Sequence, residues 1–118
     1  MELFGKDFHS ARLAARLMGW LLLMIVAFFS LSPASYRPVT AVGHNLEHFL
    51  VHLLVGLVFG IGYAKRVWLL ALGLVAFTAA IEVAQFYTPG RHARLRDFAI
   101  DAGAACLGIG LAWAFRSR

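Results

Sequence analysis

The sequence predicts an all-α fold: a polytopic membrane bundle of four transmembrane helices with both termini in the cytoplasm. Three observations carry this. Apolar types make up 61% of the 118 residues, against roughly 45–50% in an ordinary soluble domain. Charged types make up 14%, against about 25%. The apolar residues also fall into four runs, each close to the roughly 20 residues that cross a hydrocarbon core. A soluble domain this small cannot hide so much apolar surface. The excess faces lipid. A water-soluble enzyme, a disordered regulator and a disulfide-stapled secreted module are excluded, and the single cysteine, Cys106, allows no intrachain disulfide.

The first run covers about residues 17–32, after a basic, amphipathic cytoplasmic segment (residues 1–16) that carries Arg12 and Arg16. Its basic lead, apolar run and Ser32-Pro33-Ala34 also resemble a signal peptide. Retention as a span is the preferred reading. The second run covers about 46–63 and is followed by Lys65-Arg66. The third covers 67–86, interrupted late by Glu82 and Gln85. The fourth covers 98–115, with Asp101 just inside and the basic tail 116–118 beyond.

Orientation follows from the side on which lysines and arginines fall. With the N-terminus inside, Lys6, Arg12, Arg16, Lys65, Arg66, Arg116 and Arg118 are cytoplasmic, while Arg37, Arg91, Arg94 and Arg96 lie outside. The net charge of +5 thus serves membrane orientation, and no nucleic-acid partner is expected. Three outward arginines in one short loop run against the rule; either the cytoplasmic charges outvote them, or they have anionic partners there.

Ionisable side chains at membrane depth cost several kcal/mol each, so they gather where they function or satisfy one another. Here His44, Glu47, His48 and His52 lie at the start of the second run. Glu82 and Gln85 close the third, while Asp97 and Asp101 open the fourth. Four alternating spans put all these ends on one side, the outer one. The opposite halves of the same runs carry no charge. One polar pocket in the outer leaflet follows.

Helical spacing sharpens it. His44, His48 and His52 repeat every four residues and share a face, reaching roughly 12 Å along the axis. Glu82 with Gln85, and Asp97 with Asp101, are also neighbours on their helices. Internal pairing for bundle stability is the plain alternative. Glu82 and His52, the deepest acid and imidazole, are candidates for proton exchange near neutral pH. Arg91, Arg94 and Arg96 follow the Pro89-Gly90 turn and lead into a helix N-terminus, where planar guanidinium forks suit phosphate or carboxylate. Gly56 with Gly60, and Ala102 with Cys106 and Gly110, have the small-residue spacing of closely packed membrane helices.

The stretch Glu82-xx-Gln85, Pro89-Gly90-Arg91, Asp97, together with His48-Phe49 and Gly56, resembles the VanZ-like family of small bacterial membrane proteins over roughly residues 17–115. His52 stands where that family commonly has an aromatic, Asp101 where it commonly has Asn, and His44-Asn45 replaces its usual Asp-Lys. The resemblance implies a bacterial cell membrane and a link to teicoplanin resistance.

The leading functional expectation is binding of an anionic envelope lipid or lipidated glycopeptide headgroup. Arg91, Arg94, Arg96, His48, His52, Glu82, Gln85, Asp97 and Asp101 would form the site. The chain leans away from being an enzyme, and no cofactor is expected. The alternative is an intramembrane acid–base enzyme on lipid-linked precursors, with His48, Glu82 and Asp97 as candidate catalytic groups. Spans two to four hold no serine nucleophile. His48-xxx-His52 has zinc-ligand spacing, but Phe49 stands where the zincin motif needs Glu; His44, His48 and His52 are subordinate metal candidates. Proton-coupled lipid transport is a third reading, which four short spans would serve as a homodimer.

Overall fold

The structure, a computed structural model, describes residues 2–31, 44–63, 65–87 and 95–116, with side chains described for all but 2–8, 44, 45 and 116. Four helices follow in order: α1 (Glu2–Leu31), α2 (His44–Gly62), α3 (Val67–Gln85) and α4 (Leu95–Arg116). Three segments are long and apolar enough to cross a membrane, His9–Leu31, Val67–Gln85 and Leu95–Phe115, and Leu46–Gly62 is a shorter apolar helix. This is a small multi-pass membrane protein.

Helix α1 runs unbroken from Glu2 through the segment 1–16 and the first apolar run. No proline interrupts it, and Ala11, Leu13, Ala14 and Ala15 with Arg12 and Arg16 are all strong helix formers. Helix α4 begins at Leu95, three residues before the expected Phe98, which brings Arg96 and Asp97 into its first turn. The end of α3 tightens, with Phe86 N–H donating to the Val83 carbonyl and Tyr87 N–H to the Ala84 carbonyl. Such short bonds satisfy carbonyls a helix end would otherwise leave open.

The polarity of the fold is inverted relative to a soluble bundle. Met24, Phe28, Trp68, Leu72 and Phe115 are exposed on its outside, while Glu82, Gln85, His52 and Asp101 are buried. Lipid makes this arrangement stable, because apolar side chains lose nothing by facing acyl chains.

Helices α2 and α4 run parallel and form the closest seam. His52 meets Asp101, Gly56 meets Ala105, and Gly60 meets Ile109 and Ala112, so both helices advance in step by fours. A Cβ at Gly56 would collide with the Ala105 carbonyl, and one at Gly108 with the Leu53 carbonyl. The glycines of α2 thus lie where the small-residue spacing predicted. On α4 the spacing pointed to the wrong face. Cys106 and Gly110 are exposed, and nothing lies within 4 Å of a Cβ built at Gly110. Ala105, Gly108 and Ala112 form the true seam, because the buried polar residue Asp101 turns that flank, rather than its neighbour, toward α2.

Helix α1 packs antiparallel to α2. Arg16 Nε donates to the Gly62 carbonyl at 2.7 Å, and its guanidinium lies 4.7 Å from the Tyr63 ring centre. Trp20 Nε1 donates to Tyr63 Oη at 3.0 Å while its ring meets Phe59 edge-on. At the other end, Gln85 Nε2 of α3 donates to the Ser30 carbonyl of α1 at 3.1 Å. These contacts fix an up-down-up-down order, with the start of α2, the end of α3 and the start of α4 together.

Candidate functional site

The polar end of the bundle has a defined centre. His48 and His52 lie one turn apart on α2, their rings nearly parallel at 10° with centres 5.9 Å apart. Asp101, in the second turn of α4, reaches both. His48 Nδ1 lies 3.1 and 3.3 Å from the two carboxylate oxygens, and His52 Nδ1 lies 3.5 Å from Oδ1. The Asp101 and His52 side chains are 5% and 7% exposed, against 20% for His48. The site therefore opens on the His48 side and is closed beneath.

Hydrogen bonding sets the proton positions. The His48 carbonyl can only accept, so the 2.8 Å contact from His52 Nδ1 is an N–H donation along the helix. A carboxylate also only accepts, so His48 Nδ1 donates to Asp101. In neutral rings both Nε2 atoms then carry the lone pair. The arrangement can hold a proton on an imidazole beside a carboxylate, orient His48 Nε2 as a base, or grip a cation between its three members.

Other expected site residues divide into three groups. Glu82 and Gln85 are buried on α3, and Gln85 is committed to the Ser30 carbonyl. Asp97 is partly buried and Arg96 exposed in the first turn of α4, at the same end. Arg91 and Arg94 lie outside the described residues, as does the side chain of His44. The structure thus brings His48, His52 and Asp101 into direct contact and places Glu82, Gln85, Arg96 and Asp97 at the same end of the bundle.

The sequence reading passed over a second cluster, Arg16, Trp20, Phe59 and Tyr63, at the opposite end. It borders an apolar groove of about 710 Å³ that continues over Leu70 and Phe77. The available signal was topological: the start of one span and the end of the next meet at the same membrane face, and each carries interfacial residue types.

Comparison with protein-family models, with curated proteins and with solved structures finds no match to this chain.

Proposed function

We propose that this chain is a bacterial cell-membrane protein of the VanZ-like type that binds an anionic headgroup in the outer leaflet. The ligand class is an envelope lipid or a lipidated glycopeptide, and the role is envelope maintenance or glycopeptide tolerance. Both termini are cytoplasmic in this reading. Arg16, Lys65 and Arg66 then mark the inner face, as positive residues flanking spans usually do.

The observation that carries the reading is the segregation of polar groups. His48, His52, Glu82, Gln85, Asp97 and Asp101 all sit at one end of the bundle, where α3 ends and α4 begins, and in the sequence Arg91, Arg94 and Arg96 fall between Gln85 and Asp97. The opposite end is held by a close glycine contact, aromatic packing and the Arg16 and Trp20 hydrogen bonds, with no buried acid or imidazole among the described residues. Arg91, which follows Pro89-Gly90 in the sequence, is the main anion contact. Arg94 and Arg96 assist, and the acid and imidazole groups below accept and donate hydrogen bonds to the headgroup.

Native mass spectrometry of protein released gently from bacterial membranes tests this. Wild type should retain a phosphate-bearing or carboxylate-bearing lipid, and Arg91→Ala should lose it. Equal retention by both, or retention by neither, would sink the headgroup reading.

A further inference from the structure

We propose that His48, His52 and Asp101 form a binding site for one divalent transition-metal ion of the zinc type. This goes beyond the headgroup reading and stands without it, since the metal alone is the ligand.

The donor set comes first. Each residue offers one ligand atom, and the three atoms all lie within 4.8 Å of one another. Two imidazoles and a carboxylate from facing helices are the nitrogen and oxygen donors that zinc takes in sites with three protein ligands. Imidazole also suits copper, iron and nickel, whereas magnesium and calcium favour oxygen alone.

Distances come second. A tetrahedral ion with bonds of roughly 2.0–2.2 Å needs its donors about 3.3 Å apart. His48 Nδ1 and His52 Nδ1 lie 3.1 and 3.5 Å from the same Asp101 oxygen. Two edges of the tetrahedron are already drawn. Ligation through these nitrogens moves each ring proton from Nδ1 to Nε2, a tautomeric shift within the ring. His52 then exchanges its bond to the His48 carbonyl for the ion.

Burial gives the third argument. The Asp101 carboxylate is 5% exposed, and its ion-pair neighbours among the described residues are the two imidazoles. A buried carboxylate is stabilised by a cation beside it, and neutral imidazoles bring none. A divalent ion supplies this without protonating either ring. The partly open His48 side is an entry path, and three protein ligands leave a fourth position for water or an oxyanion.

The competing structural reading is a plain clasp in which His48 and Asp101 join α2 to α4. Full-length protein in lipid nanodiscs, stripped with a chelator and titrated with cobalt(II) alone, separates the two. The expected result is one equivalent bound per chain, with visible bands of a four-coordinate nitrogen–oxygen site that zinc abolishes. Asp101→Asn and His52→Gln should each weaken binding by roughly 10- to 100-fold or more, since even outer-shell losses at metal sites reach that range. Cys106→Ser should bind as wild type does. Substoichiometric binding, a sulfur-to-cobalt charge-transfer band, or full affinity in both Asp101→Asn and His52→Gln would overturn the site. Should either variant fail to insert, wild-type stoichiometry and spectrum still decide. Loss of headgroup retention in Arg91→Ala reads out separately and leaves this result untouched.

Discussion

His48 on α2 and Asp101 on α4 are joined by one ring nitrogen lying 3.1 and 3.3 Å from the two carboxylate oxygens. The pair links two helices that meet backbone to backbone one turn further on, so its loss is felt as bundle stability as well as chemistry.

Asp101→Ala removes the acceptor of the His48 Nδ1–H, and Asp101→Asn keeps an amide oxygen in its place. A buried donor left without a partner costs about 1–3 kcal/mol. The alanine variant should therefore melt lower than the asparagine variant, which should melt lower than wild type. Thermal unfolding in a mild detergent, without added metal, checks the order. Equal melting of the two variants would mean that Asp101 does not hold the His48 ring.

Gly56→Ala should be costly and Gly103→Ala harmless. The first places a methyl group against the Ala105 carbonyl, while nothing lies within 4 Å of the second. Overpacking of this kind costs about 1–3 kcal/mol, whereas a helical glycine replaced in open space gains roughly 0.5–1 kcal/mol. Denaturant titration of the two variants should shift the midpoint in opposite directions.

Arg16→Ala should loosen the C-terminal turn of α2. It deletes the donor to the Gly62 carbonyl and the cation over Tyr63, together worth about 1–2 kcal/mol at a partly exposed site. Faster hydrogen exchange at the last amides of α2, with the His48 turn unchanged, is the expected pattern. Trp20→Phe should reproduce a smaller part of it, since only the bond to Tyr63 is lost.

Cys106 reports on the membrane itself. It is exposed on the chain yet sits midway along α4, where lipid surrounds it if α4 spans the bilayer. Lipid around the helix keeps a water-soluble reagent away from a thiol at that depth. A water-soluble maleimide should leave it unlabelled in intact membranes and label it after denaturation in SDS. Rapid labelling in intact membranes would contradict a spanning α4.

The four helices were legible because apolar runs of bilayer length admit few other structures. Their ends were less so. The start of α1 at Glu2 rather than near Leu17 rests on helix propensity, which carries no hydropathy signal. That polar groups share one end followed from alternation of spans; that Asp101 selects His48 and His52 did not. Rotation of a helix about its axis decides such pairings, and small residues at every fourth position constrain it poorly. Gly56 and Gly60 pointed to the right face because α2 has few alternatives, while Cys106 and Gly110 misled because α4 carries small residues all round.

The anchored end of α2 has a consequence for depth. The helix runs 19 residues, His44–Gly62, and rises about 28 Å at 1.5 Å per residue, close to the hydrocarbon thickness of about 30 Å. With Gly62 held by Arg16 at one end, His48 falls one turn from the other, where headgroups and hydrocarbon meet. His48 is thus the member of the cluster nearest water, with His52 and Asp101 more deeply buried.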